Sequence, residues 1–296
     1  MTLDDLIYKP GLLSGERILI TGGGSGLGRV MSEALLMLGA TVYICGRRAP
    51  VVDATALALM TAHGGRVVPL VCDIRDDASI LALLDSIWAD GGALTGLINN
   101  AAGNFVSRTE DLSPRAFDAI ANTVFRGSFY MTLECGKRWL SEGRKASVVS
   151  ILTTWVWNGS PYTVPSAMSK AGLHAMTQSL AVEWGGRGIR LNAIAPGLFP
   201  TEGMSARLNP KGGEHKVEGN PMGRNGRMPE LANLAVFLMG PGAEYLNGQT
   251  IAIDGAQFQA TGGNFASLSS WTDEDWRSAR QNIQRRNADE REQRSS

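Results

Sequence analysis

Seven short apolar runs recur along the chain, separated by longer stretches in which apolar residues return every three or four positions. The runs are Arg17–Thr21, Thr41–Cys45, Val67–Cys72, Gly96–Asn99, Ser147–Ile151, Arg190–Ala195 and Thr250–Ile253. Most are apolar without alternation, as expected of parallel strands covered on both faces. The stretches Leu27–Leu38, Val52–His63, Ala78–Trp88, Pro114–Leu140, Ala167–Trp184 and Pro229–Met239 read as helices. Strand–helix alternation predicts an α/β fold, a doubly wound parallel sheet with helices on both faces.

Two segments depart from this rhythm. Residues 198–227 are rich in Gly, Pro and Asn. They follow the sixth predicted strand, beyond the carboxyl ends of the strands where open sheets bind ligands, and are read as a substrate lid. The chain from about residue 262 ends in a highly charged stretch, read as a solvated or frayed helix. The expected organisation is one domain over residues 1–261, lid included, and a charged extension over 262–296.

Composition narrows the partners. The 28 basic and 28 acidic residues cancel, which leaves no bulk attraction to nucleic acid or anionic membranes. Cys45, Cys72 and Cys135 are widely spaced and odd in number, so a reduced, cytoplasmic chain is expected. No run is long enough to cross a bilayer, and no membrane partner is predicted. His63, His174 and His215 fall in no ligand spacing, and no metal is predicted.

The first predicted strand leads directly into Thr21-Gly-Gly-Gly-Ser-Gly-Leu-Gly28 and then a helix. Glycines permit a tight turn and close approach of backbone to a diphosphate, and the helix N-terminus supplies free N–H groups. The expected contacts are Gly22, Gly24, Ser25, Gly26, Leu27 and Gly28. This makes the sheet a Rossmann-type nucleotide binder. After the second strand stand Arg47 and Arg48, with no acidic residue beside them. An acid there reads a ribose 2′-hydroxyl and an arginine a 2′-phosphate, so NADP(H) is favoured over NAD(H). Asp73, followed by Ile74, ends the third strand. It either accepts from an adenine amino group or caps the helix beginning near Asp76.

These residues resemble the short-chain dehydrogenase/reductase family over roughly residues 14–257. The resemblance rests on the glycine stretch, Asp73, Asn99-Asn-Ala-Ala-Gly103, Lys170 in a long helix, and Pro196-Gly197. It adds Asn100, Ala101, Gly103, Lys170, Pro196 and Gly197 to the expected cofactor contacts, and implies hydride transfer and a homo-oligomer, commonly a tetramer. Within the family, Asn99–Phe105, Val164–Gly172, Leu180–Gly185 and Thr201–Gly203 look like the 2,4-dienoyl-CoA reductases.

The active-site pattern departs from the wider family, whose members pair a tyrosine with a lysine four residues on. Here Ser166 precedes Lys170 by four. A serine hydroxyl is a far weaker acid than a phenol of pKa about 10, which disfavours simple carbonyl reduction. The Ser–Lys replacement is itself a mark of dienoyl-CoA reductases. Mitochondrial-type members add an upstream tyrosine and an asparagine; these positions fall on Trp155 and Arg126, so neither role carries over. Asn122 lies two residues too far from Gly127 to match the wider family's active-site asparagine. Thr153 falls where that family has its catalytic serine.

Hydride attack on a conjugated thioester pushes charge onto the thioester oxygen, where Thr153 and Ser166 are candidate donors beside cofactor hydroxyls ordered by Lys170. The final proton comes from a side chain, with Tyr162 the candidate, or from water. Trp155 and Trp157 suggest a hydrophobic acyl group or serve as packing. Arg207, Lys211, Lys216, Arg224 and Arg227 either hold coenzyme A phosphates or are dispersed surface residues. The leading expectation is NADPH-dependent reduction of an enoyl- or dienoyl-CoA double bond. The alternatives are a carbonyl or alcohol oxidoreductase with an atypical proton donor, and a catalytically silent NADP-binding scaffold.

Overall fold

The computed structural model describes residues 1–201, 220–261, 268 and 270–295, with side chains as far as residue 285. Every predicted apolar run forms a strand: β1 (Arg17–Thr21), β2 (Thr41–Gly46), β3 (Arg66–Val71), β4 (Gly96–Asn99), β5 (Ala146–Ile151), β6 (Ile189–Pro196) and β7 (Thr250–Ile253). All pair in parallel, in the order β3-β2-β1-β4-β5-β6-β7. The order reverses between β1 and β4, the point at which such sheets open a ligand crevice.

The helices are α1 (Gly26–Met37), α2 (Ala49–His63), α3 (Asp77–Gly91), α4 (Pro114–Ala121), α5 (Ser128–Glu142), α6 (Trp155–Asn158), α7 (Val164–Gly185), α8 (Met228–Met239), α9 (Gln257–Ala260) and α10 (Asp273–Ser295). They cover both faces of the sheet. Ile18 and Ile20 pack with Met31 and Leu35 of α1 and Leu231 and Val236 of α8. Leu19 and Tyr43 face the other way, onto Leu84 of α3, Trp139 of α5 and Trp184 of α7. Successive strand residues therefore enter different apolar layers, which explains runs without polar alternation.

Two expectations need correction. Coverage on both faces fails at the sheet edges: Val71 of β3 is 58% exposed, and β7 is half-buried throughout. Pro69, with no N–H to donate, is tolerated in β3 because that strand is an edge. The helix expected over Pro114–Leu140 is interrupted by a π turn, Asn122–Gly127. Gly127 there presses so close to Ile74 that a Cβ would come within 2.7 Å of the Ile74 carbonyl oxygen. A π turn changes the helical phase locally and allows that approach without breaking the helix.

Helix α7 starts at Val164, with Pro165 in its first turn, where a missing N–H costs nothing. That start brings Ser166 into the helix. Of the expected lid, residues 202–219 lie outside the described residues, and with them Arg207, Lys211, Lys216 and His215.

Candidate active site

The carboxyl ends of β1, β2 and β4 are fastened together by one short network. The buried Thr21 hydroxyl accepts the main-chain N–H groups of Asn100 and Ala101, each at 3.0 Å. Asn100 returns its side-chain amide to the carbonyls of Thr21 at 3.0 Å and Gly22 at 3.2 Å. The N–H of Gly22 donates to the Cys45 carbonyl at 2.8 Å. Gly22 has a φ of 66°, a conformation other residues adopt at a cost. A Cβ at Gly28 would run into the Gly22 carbonyl and the Asn100 amide.

The first turn of α1 is thus pressed onto the loop that precedes it. Ser25 caps the helix with extended backbone and no side-chain bond, which leaves the first-turn N–H groups to an anion. Gly24 is held from behind, its carbonyl accepting from Thr55 at 2.8 Å. This glycine-rich cradle, whose first-turn N–H groups meet no capping side chain, fits a dinucleotide.

Arg47 and Arg48 are exposed at the end of β2, and neither side chain has a hydrogen bond or ion pair among the described residues. Arg47 lends positive potential to Asp73. Asp73 does not cap a helix: Asp76 takes that position, accepting from the Ala78 N–H at 3.2 Å. Instead Arg75 grips the Asp73 carboxylate through Nε at 2.9 Å and Nη2 at 2.5 Å, and this hydrogen bonding holds the carboxyl below its usual range. The Asp-x-Arg spacing was available in the sequence; the contact was not read from it.

At the far side of the crevice, Lys170 is buried and its Nζ donates to the main-chain carbonyl of Ile151. Burial lowers its pKa to about 8. Ser166 lies one turn earlier on α7 and is buried, its N–H donating to the Thr163 carbonyl at 3.0 Å. Thr153 follows Ile151 by two residues and is half-buried. Lys170 and the strand end that leads to Thr153 are therefore in direct contact. Tyr162 stands apart: the residue is 59% exposed and its φ is 63°. Its carbonyl accepts the Ser107 N–H at 2.9 Å, which ties the loop after β4 to the loop before α7. Gly103, in the loop after β4, is half-buried, and Gly197 donates its N–H to the Ile253 carbonyl at 3.0 Å behind the buried Pro196.

Several candidates are spent elsewhere. Arg126 donates to the Arg75 carbonyl and to Asp77, each at 2.8 Å. Trp157 stacks on Phe258 with ring centres 4.6 Å apart and meets His174 edge-on at 6.1 Å. Arg224 makes two bonds to Glu230, at 2.9 and 2.7 Å, and Arg227 adds a third at 3.1 Å. Both arginines share the Glu230 carboxylate, whose pKa their hydrogen bonds lower to about 2, which leaves one positive charge unbalanced. Arg224 is therefore committed to Glu230, while Arg227 stays largely exposed. Among the described residues no helix is long and apolar enough to cross a membrane, and no group of three or more His, Cys, Asp or Glu is placed to hold a metal.

Comparison with known proteins places this geometry. A family model described as enoyl-(acyl carrier protein) reductase matches residues 22–256. The chain is 42% identical over 276 residues to an uncharacterized oxidoreductase of Caenorhabditis elegans, covering 90% of this chain and 88% of that protein. It is 39% identical over 277 residues to a probable 2,4-dienoyl-CoA reductase of the same organism, covering 91% and 90% respectively. Among solved structures, a citronellol catabolism dehydrogenase of Pseudomonas aeruginosa superposes with a TM-score of 0.76 at 34% identity, covering 86% of this chain and all of that one.

Proposed function

Since the chain belongs to the short-chain dehydrogenase/reductase family, and is a nicotinamide-dependent oxidoreductase resembling the dienoyl-CoA reductases, we propose that it uses NADPH to reduce a carbon–carbon double bond conjugated to a coenzyme A thioester. The observation that carries this reading is the pair Ser166 and Lys170 on one face of α7, both buried, with no phenol between them. Protonating an alkoxide calls for an acid matched to the task, and a serine hydroxyl is poorly matched. Stabilising charge on a thioester oxygen calls only for positioned donors.

The bound nucleotide supplies the hydride. The chain's own residues do the rest. The loop from Gly22 to Gly28 seats the diphosphate, and Arg47 and Arg48 meet the 2′-phosphate with charge-assisted bonds. Lys170 spends one of its three hydrogens on Ile151 and keeps two for ribose hydroxyls. Thr153 and Ser166 donate to the thioester oxygen as charge develops there. Removing one such donor typically slows turnover by about a hundredfold or more. The final proton comes from bulk water, directly or by way of the exposed phenol of Tyr162. Family membership also supports a homo-oligomer.

The test is NADPH oxidation with a 2,4-dienoyl-CoA, run beside ketone and alcohol substrates. Turnover confined to the conjugated thioester is expected. Turnover confined to ketones would instead identify a carbonyl reductase, and tight NADPH binding without turnover across the panel a silent scaffold.

A further inference from the structure

The stretch from Asp73 to Asp77 links β3 to α3 and is held both by bonds within itself and by Arg126 from outside. Arg126 Nη1 donates to the Arg75 carbonyl at 2.8 Å, and Nη2 donates to Asp77 Oδ2 at 2.8 Å. The same guanidinium lies over the Tyr130 ring, 4.6 Å from its centre. The next residue, Gly127, packs directly against the Ile74 carbonyl. Within the stretch, Arg75 closes on Asp73 through both Nε and Nη2. Four of these five residues thus take part in a chain of contacts that begins at the π turn Asn122–Gly127.

Two features separate this from an ordinary surface ion pair, which contributes little. One acceptor is a main-chain carbonyl, so the contact sets backbone position rather than pairing two mobile side chains. The donor also sits in a π turn, a rare local geometry that is frequent at functional sites. Arg126 points to the β3–α3 connection, which carries Asp73 and Ile74, the residues expected to meet the adenosine end of a nucleotide.

We propose that Arg126 is a positioning residue of the adenosine subsite: it fixes the Arg75 backbone so that Arg75 holds Asp73, and with it Ile74, in the nucleotide-binding conformation. This rests on the reading of the Gly22–Gly28 loop as a nucleotide cradle. It assigns Arg126 a part in affinity and none in the chemical step.

Calorimetry on the full-length protein tests it, with NADPH and with 2′,5′-ADP as the isolated adenosine half. Arg126→Met is expected to raise the Kd of both by the same factor, about tenfold, since two charge-assisted bonds are lost. Arg126→Lys recovers part of the loss. An unchanged NADPH Kd in folded Arg126→Met overturns the proposal. So does a loss seen with NADPH but not with 2′,5′-ADP, which would place the effect at the nicotinamide half of the site. If Arg126→Met does not fold, Asp77→Asn and Arg126→Lys carry the measurement, and wild-type affinity in both overturns it. Failure of the wild-type protein to bind either ligand would instead remove the nucleotide reading, a result distinct from all of these.

Discussion

The ammonium of Lys170 is pinned to the main-chain carbonyl of Ile151, so α7 and the end of β5 meet at a buried charge. Its pKa falls to about 8 from 10.5 because burial disfavours the charged form. Below pH 8 the folded state bears that cost. Between 8 and 10.5 the folded protein has released the proton while the unfolded chain retains it, so stability rises with pH through this window. Lys170→Met removes the linkage. Urea denaturation of the nucleotide-free proteins is expected to show wild type gaining roughly 2 kcal/mol on the variant between about pH 7 and about pH 10. Parallel curves would mean that Lys170 titrates normally.

Nucleotide preference should follow Arg47. It is exposed at the end of β2, where no acid awaits a ribose hydroxyl. Arg47→Ala is expected to weaken NADPH binding by about tenfold or more and to leave NADH binding nearly unchanged. Equal losses for the two cofactors would show that Arg47 does not meet the 2′-phosphate.

Gly28→Ala tests the cradle itself. The added methyl would strike the Gly22 carbonyl and come 2.5 Å from the Asn100 amide nitrogen, and neither group can swing away. Overpacking against backbone costs about 1–3 kcal/mol, and here it displaces the loop that seats the diphosphate. A lower Tm and loss of calorimetric heat with NADPH are expected together. Wild-type affinity in Gly28→Ala would show that this loop does not contact the nucleotide.

The strands were readable because the central ones enter two apolar layers, and continuous runs such as Arg17–Thr21 and Ser147–Ile151 record that directly. The nucleotide cradle was readable because glycine is required where φ is positive or backbones touch, as at Gly22 and Gly28. What escaped was decided by contacts between distant elements. Arg126 and Arg75 lie 51 positions apart, and nothing in helical period marks where a π turn will aim a side chain. The pairing of Arg224 and Arg227 with Glu230 was hidden for another reason. Counting basic residues after Pro196 registers charge but not the nearby acid that consumes it.

That last contact yields a prediction on the substrate side. Glu230 also accepts the Arg227 N–H at 2.8 Å, at the start of α8, and its pKa of about 2 lies below the ordinary 4.5. A depressed carboxyl contributes stability that is present above 4.5 and lost as pH falls toward 2. Glu230→Gln should therefore lower Tm at neutral pH by roughly 2–4 °C, with the deficit shrinking as the medium is acidified through that window. If Arg224 is spent on this bond, Arg224→Ala should cost similar stability and leave the KM for an acyl-CoA unchanged. A several-fold rise in that KM without loss of Tm would return Arg224 to the coenzyme A phosphates, and the Glu230 bond would then be one that substrate displaces.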